Sequence, residues 1–473
     1  MIISSIAKNE VSRLIRDKVV LVLGMLILVL LTVSVVSGAQ YYQQAAQQHE
    51  EARELARAQW ENQGEKNPHS AAHYGTFAFK PVTVLSVFEP GIDRYTGVSL
   101  FLEAHRQNFA THSLAEDRDA SMRFAELTPS FIFTFLFPLF IILIGFRLVS
   151  AEKESGMYRF LMSQGVSRSQ LMFGKALGLW SITLLLFLPF LLIGFGFLLF
   201  TSPVPTDVLR FLVMSLLWLM YFGVIVHLSV GISAIAKSSG SSMVILLSIW
   251  IMSTLLVPRL VTNVASGVHP VPDTTEFRQA IQADLQQGID GHNPLNEHRA
   301  AFRDSVLHAH GVDDVSHLPF NFSGLILQES EEFEKKIYDH HMAKIDDIHQ
   351  QQIRLFALSS VFSPTISTRL ASMAVAGTDI HHYNHFSRAA EDYRISLMRE
   401  LNMDLKVHAV GDRATDYASG SDFFAQNVSF SYEKPGRIIL DEGQVFPLLL
   451  AGLWFMISIG FILIAANRRE NDL

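Results

Sequence analysis

Long runs of apolar residues, nearly free of charge, recur along this chain between polar segments of very unequal length. An α-helix of about 20 such residues crosses the hydrocarbon core of a bilayer. The pattern therefore predicts an α-helical integral membrane protein with six transmembrane helices. Their predicted bounds are residues 19–36, 129–146, 177–200, 208–236, 242–257 and 445–466.

Lysine and arginine near the ends of these runs predict the orientation, because short cytoplasmic loops retain such residues. They cluster before the first run, between the second and third, between the fourth and fifth, and after the sixth. We therefore expect both termini in the cytoplasm and a multi-pass protein of the bacterial inner membrane. The expected cytoplasmic parts are a coupling loop at 147–176 and a tail at 467–473, and the expected periplasmic insertions are residues 41–128 and 266–444.

The N-terminal end allows more than one interpretation. Residues 1–18 place apolar side chains on one helical face, which is typical of an amphipathic helix lying in the membrane interface. They could equally form a simple extension of the first span. A cleaved signal peptide ending near Ser37-Gly38-Ala39 is a third alternative, although the apolar run exceeds the usual signal-peptide core of about 7–15 residues. The retained first span is the favoured interpretation.

Both periplasmic insertions are predicted to be mainly α-helical. The first opens with a helix-forming stretch at 41–63, is interrupted at Asn67-Pro68, and contains a candidate short strand at 83–88. The second is long enough to bury its own core and therefore to form a domain. Its predicted helices are residues 275–287, 296–310, 325–358 and 385–401.

The amino-acid composition limits the kinds of partner and the kinds of site that this chain can have. Hydrophobic residues make up 49% of the chain and charged residues 17%, as expected for a protein solvated partly by lipid. Cysteine is absent, which excludes disulfides and thiolate metal sites. The acidic excess falls in the insertions, and membrane orientation accounts for the basic clusters. We expect membrane lipid as a partner and no nucleic acid.

The loop between the second and third runs carries the most specific motif. Its sequence at 150–175 reads SAEKESGMYRFLMSQGVSRSQLMFGK, a short amphipathic helix, a glycine turn and a serine placed to cap the next helix. This segment resembles the loop of ABC-2 type ABC transporter permeases, with Met157 and Gly165 where threonine and proline are more frequent. The resemblance assigns ATPase coupling to Glu152, Glu154, Gly156, Ser167, Arg168 and Lys175.

The likeness extends into the insertions. The segments 89–97 (EPGIDRYTG) and 102–108 (LEAHRQN), with matching patterns between 363 and 394, resemble a subfamily with large periplasmic insertions. That subfamily is related to the permease of the nitrous-oxide-reductase maturation transporter. The resemblance implies a non-enzymatic permease subunit that pairs with a second permease, identical or homologous, and binds ATP-binding cassette ATPase subunits. It implies either export or work on a periplasmic protein.

No phosphate-binding G-x-x-x-x-G-K-[ST] motif occurs in the sequence. ATP and Mg²⁺ are therefore expected on the partner ATPase, and no cofactor is expected in this chain apart from a candidate periplasmic metal ion. That ion would be held by His381 and His385, one helical turn apart, with His382 and Asp379. The alternative for this histidine-rich stretch is a solvated or hydrogen-bonded helix surface.

Two further positions carry ionisable groups of interest. His227 lies in the fourth run and is either a pathway residue or a neutral histidine bonded to Ser229 or a neighbouring helix. Glu391 and Arg394, three residues apart, are interpreted as an ion pair on a helix surface. As an alternative function, the chain could be a membrane-anchored periplasmic metal-binding or enzyme-assembly protein without transport.

Overall fold

The computed structural model of the chain is mostly helical. It describes residues 2–113, 127–202, 204–289, 295–409, 416–427, 429–437 and 442–467. The predicted cytoplasmic tail therefore lies outside the described residues except for Asn467.

Within these ranges, six helices are long and apolar enough to cross a membrane. The fold class predicted from the hydrophobic runs, an α-helical integral membrane protein, is confirmed. We number these helices in chain order as the first to sixth spanning helices. They are Lys18–Glu61, Pro129–Glu154, Arg168–Thr201, Pro205–Ile235, Ser239–Val268 and Gly443–Asn467.

A separate N-terminal helix, Ile2–Arg16, precedes the first spanning helix. It ends there because Asp17 caps the new helix with its side chain. The N-terminal helix packs against the third spanning helix at Gly174, where an added Cβ atom would lie 2.6 Å from Cβ of Ile6. The segment is thus no simple extension of the first span, while its position in the membrane interface stays a prediction.

The first spanning helix runs far past the end of its apolar stretch. It has 44 residues and is about 66 Å long, roughly twice the thickness of the bilayer core. Gly38 lies inside it, and an added Cβ atom there would meet the carbonyl oxygen of Val87 at 2.9 Å. The outer part of this helix therefore belongs structurally to the first insertion.

The first insertion also holds an antiparallel sheet, in the order β1 (Thr76–Phe79), β2 (Gly97–Leu102) and β3 (Thr111–Ser113). The predicted strand at 83–88 is wrong, because Val84–Val87 forms a 3-10 helix. All four of its side chains are buried. A short apolar run buried on all sides has no alternating face, so its periodicity cannot separate strand from helix.

The second insertion is helical. Each of its four predicted helices is present, generally with longer bounds, and Pro364–Ala376 is an additional helix. The additional helix packs against the fourth and sixth spanning helices, and Thr365 bonds the hydroxyl of Tyr221 at 3.0 Å. The helices are Thr274–Gln287, Leu295–His310, Phe322–Ser359, Pro364–Ala376, Ile380–His408 and Ser421–Gln426.

The two insertions share one hydrophobic core. Trp60 and Ala71 of the first insertion are buried with Leu397, Leu401 and Phe424 of the second. Burial of these apolar side chains against one another stabilises the contact between the two insertions. The insertions therefore form one outer body.

Candidate functional site

A buried cluster of charges connects the loop at 147–176 to the N-terminal helix. Nζ of Lys175 lies 2.6 Å from a carboxylate oxygen of Glu10 and also bonds Glu152. The side chains of Lys175 and Glu10 are 6% and 3% exposed. Buried charges of this kind are tolerated only when they are paired. The cluster joins the N-terminal, second and third helices at one point.

Glu154 connects the same loop to the fifth spanning helix. Its carboxylate accepts hydrogen bonds from the backbone N–H and the hydroxyl of Ser239, at 2.7 and 2.8 Å. Ser239 is the first residue of that helix, where the free N–H groups and the helix dipole favour an anion. Glu154 thus contacts a neighbouring helix of its own chain.

Gly156 begins a short helix, Met157–Ser163, which we call the loop helix. Its backbone is left-handed, with φ of 76°, a conformation that costs other residues about 1 kcal/mol or more. Met157 and Phe160 of the loop helix are 48% and 57% exposed, whereas Tyr158 is buried. The loop helix therefore presents two large apolar side chains outward.

The far end of the loop is fixed by a cap and by contacts with the fourth spanning helix. The Ser167 hydroxyl accepts a hydrogen bond from the Gln170 N–H at 3.2 Å, and the Gln170 side chain accepts one from the Ser167 N–H at 2.9 Å. The guanidinium of Arg168 donates to the carbonyl oxygen of Ala234 at 3.4 Å. Both ends of the loop helix are thus anchored to spanning helices.

His227 lies between three spanning helices. Its Nδ1 is 2.9 Å from the hydroxyl of Ser458 on the sixth helix. The indole N–H of Trp180 on the third helix donates to its Nε2 at 3.4 Å. Both ring nitrogens therefore have partners on other helices.

The histidines predicted to bind metal do not form one cluster. Asp379 caps its helix and accepts hydrogen bonds from the backbone and Nδ1 of His382, at 3.1 and 2.6 Å. His385 bonds the Tyr432 hydroxyl at 2.9 Å. His381 and His385 line a cavity of about 300 Å³ that Asp379 and His382 do not line. Metal binding by these four residues stays a prediction.

The environment of Asp379 keeps it ionised. Burial alone would raise the pKa of Asp379, but the hydrogen bond and charge of His382 hold that pKa below its ordinary value. Gln444 at the start of the sixth spanning helix donates to the same carboxylate. Asp379 therefore links the outer body to a spanning helix.

Another group of histidines lies where the two insertions meet. His69, His73 and His105 each place one ring nitrogen within 4.8 Å of the others, and His105 is shared with Glu331 and Glu334 in the same way. The spacing of His69 and His73, one helical turn, was visible in the sequence. Their approach to His105 was not, because a sheet lies between them along the chain.

The pKa values within this group diverge. Burial, with His73 and His105 close by, lowers the pKa of His69 to about 4. Burial also acts to lower the pKa of His105, but the carboxylates of Glu331 and Glu334 outweigh it and raise that pKa to about 9. Without a bound ion, His69 is therefore neutral and His105 is cationic at neutral pH.

The predicted surface ion pair of Glu391 and Arg394 is wrong in its location. Arg394 is 1% exposed and Glu391 5% exposed. Arg394 bonds Glu391 at 2.8 and 2.9 Å, and also reaches Glu331 at 3.2 Å on the long helix Phe322–Ser359. The spacing of three residues is the same for a buried and an exposed pair, so the sequence did not distinguish them.

Arg210, in the fourth spanning helix, is a polar residue that the sequence prediction passed over. It is buried and donates hydrogen bonds to the carbonyl oxygens of Val375, Pro435 and Arg437, at 3.3, 3.2 and 2.6 Å. Its charge in an otherwise apolar run was the available signal. Arg210 fastens the outer body to the spanning helices.

Comparison with known protein families gives two matches. A family model described as ABC-2 family transporter protein matches residues 4–316. A second model, described as a domain of unknown function (DUF3526), matches residues 274–433, most of the second insertion. No curated protein matches the chain.

Proposed function

Because the chain belongs to the ABC-2 transporter family, it is a multi-pass membrane permease subunit, and we propose that a separate ATPase drives it through the loop helix. The observation that carries this proposal is the exposure of Met157 and Phe160 on a helix anchored at both ends. Exposed apolar side chains next to charged groups are typical of a protein interface.

The contacts of the loop give a route for mechanical coupling. Movement of the loop helix would reach the fifth spanning helix through Glu154, and the N-terminal and third helices through Glu152 and Lys175. Closure of an ATPase pair around ATP and Mg²⁺ would then move several helices as rigid bodies.

A second permease, identical or homologous, would complete the transporter. The fifth spanning helix exposes large apolar residues along its length, including Val244, Ile249 and Leu255. Such a helix requires lipid or another protein around it. We place the second permease against this helix and lipid around the remaining exposed faces.

We also propose an orientation for the chain in the membrane and a role for the outer body. The distribution of lysine and arginine supports an inner-membrane protein with cytoplasmic termini and a periplasmic outer body. The size of that body supports action on a periplasmic protein as well as export. A protein without transport is not favoured, because the family match covers the first five spanning helices and the loop between the second and third.

Affinity purification tests the ATPase partner. The tagged chain, isolated from its own cells, is expected to carry an ATP-binding cassette ATPase identified by mass spectrometry. Met157→Ser with Phe160→Ser should reduce the recovered ATPase at least tenfold, since both apolar contacts are removed. Ser163→Ala with Gln164→Ala, at exposed positions at the end of the same helix, is the matched control. Equal recovery from both double variants would refute docking on this face.

A further inference from the structure

We propose that His69, His73 and His105 bind a divalent transition-metal ion of the zinc class where the two insertions of the outer body meet. Neutral imidazoles are the usual nitrogen ligands for such an ion. Each of the three rings offers one nitrogen to the same small volume. This site is separate from the cavity lined by His381 and His385.

The two histidines on the short helix Pro68–Tyr74 are already spaced for a shared ion. Their Nε2 atoms are 3.2 Å apart. Zn–N bonds of about 2.0–2.1 Å in tetrahedral geometry place two ligand nitrogens about 3.3 Å apart. The third ring nitrogen lies within 4.8 Å of both. A side-chain shift of less than about 2 Å would bring it to the same separation.

His105 is held in place from the other insertion. Its backbone is left-handed, with φ of 64°, which is uncommon for a residue other than glycine. Its backbone N–H donates to Glu331 at 2.8 Å, and its Nδ1 lies 2.8 Å from Glu334 and 3.0 Å from Glu331. Carboxylates that bond one ring nitrogen orient a histidine and leave the other nitrogen for a metal.

The surrounding charges favour a cation. Glu331 and Glu334 contribute two carboxylates from the long helix Phe322–Ser359. Arg394 reaches Glu331 but also pairs with Glu391, so its single charge is divided between two acids. Binding of a divalent ion would release the proton from the ligating nitrogen of His105, and the ion would then balance the remaining negative charge.

A metal ion here would link the short helix Pro68–Tyr74 to His105, at a junction between the insertions. The chain has no cysteine, so no disulfide can join its insertions. The three histidines come from the first insertion, and the two carboxylates come from the second. An ion that fixes the ring of His105 would therefore support its existing hydrogen bonds to Glu331 and Glu334 and stabilise this contact between the insertions.

Metal content of the purified full chain tests this site. The protein, stripped with chelator and then dialysed against Zn²⁺, should retain about one zinc ion per chain, as a single site of this type requires. His69→Ala with His73→Ala should abolish that retention. Glu334→Gln should keep the ion but weaken its affinity about 10–100-fold, because an orienting carboxylate is removed. Substitution with Co²⁺ should give the visible absorption of a tetrahedral nitrogen site.

A control variant and a folding check accompany the zinc-binding measurement. His381→Ala with His385→Ala should retain the ion with unchanged affinity, since those residues line a different cavity. The elution volume of each metal-free variant on size-exclusion chromatography shows whether that variant is folded. If His69→Ala/His73→Ala is not folded, Glu334→Gln still tests the site. The proposal is overturned if the wild type retains no zinc, if folded His69→Ala/His73→Ala retains it, or if His381→Ala/His385→Ala loses it.

Discussion

Lys175 and Glu10 are 165 residues apart in sequence, yet their charged atoms lie 2.6 Å apart in a buried ion pair. The pair connects the N-terminal helix to the start of the third spanning helix. Glu152 bonds the same ammonium group. Arg13 also pairs with Glu10 but is 47% exposed, so Lys175 is the buried cation that the two acids share.

Lys175→Met should therefore be strongly destabilising. It leaves Glu10 and Glu152 without their shared cation, and removal of one partner from a buried ion pair costs about 3–5 kcal/mol. The effect is measured by heating the purified protein and recording the temperature at which it is no longer monodisperse. Arg53→Ala is the control, because Arg53 pairs with Glu50 at a position where both side chains are exposed, and it should change stability little. A Lys175 variant as stable as the control would contradict this account.

Glu154→Ala should separate coupling from docking. Its carboxylate bonds Ser239 on the fifth spanning helix, so we expect the ATPase subunit to remain bound while transport-dependent ATP hydrolysis falls severalfold. Loss of an anion at a helix N-terminus costs only about 0.3–1 kcal/mol, and the fold should survive. The neighbouring exposed residue supplies the control, Ser155→Ala. Unchanged hydrolysis would remove Glu154 from the coupling route.

Two glycines of the third spanning helix should respond differently to alanine. At Gly174 an added Cβ atom would lie 2.6 Å from Ile6, whereas at Gly196 it would meet nothing within 4 Å. Gly174→Ala should destabilise the protein by about 1–3 kcal/mol through overpacking. Gly196→Ala should be neutral or slightly stabilising, because alanine is the better helix former. Equal unfolding temperatures would show that the N-terminal helix is not packed there.

In the presence of chelator, which keeps the protein free of metal, protonation of His105 should make the stability of the folded state depend on pH. Its pKa is raised from 6.5 to about 9 in the folded state by Glu331 and Glu334. The folded state therefore binds the proton more tightly, and the resulting stabilisation is full below pH 6.5 and lost as the pH rises through about 9. The difference in unfolding temperature between the wild type and His105→Gln should shrink over this range.

The control for that measurement is Gln286→Ala, which removes no titratable group and is at an exposed position near the end of helix Thr274–Gln287. It should show a constant difference from the wild type over the same pH range. A constant difference for His105→Gln would mean that its ion pairs with Glu331 and Glu334 add nothing to stability.

The spanning helices were predictable from the sequence, because the lipid around them restricts both their composition and their length. A spanning helix must be long, apolar and internally hydrogen-bonded, and such runs are visible in a single sequence. Helix Pro364–Ala376 was missed because its buried surface is made largely of serine, threonine and alanine. Small residues pack helices closely without giving a hydrophobic period. Position 365 shows this, since its threonine bonds Tyr221 inside the structure.

Contacts between distant segments were the least predictable. The hydrogen bond of Glu154 to Ser239 and the approach of His105 to Glu331 depend on how helices meet. Spacing along one helix does not contain that information. Spacing did identify His381 and His385, which line one cavity, and Asp379 lines a second cavity with His381. His382 lines neither cavity and bonds Asp379 instead.

The length of the first spanning helix determines how far its outer end would move if its inner end rotated. Its 44 residues form one continuous rod of about 66 Å, which starts beside the N-terminal helix and ends among the residues of the outer body. A tilt of about 5° about its inner end would sweep its outer end through about 6 Å, from the helical rise alone. A small rotation at one membrane face would thus become a larger displacement beyond the other face.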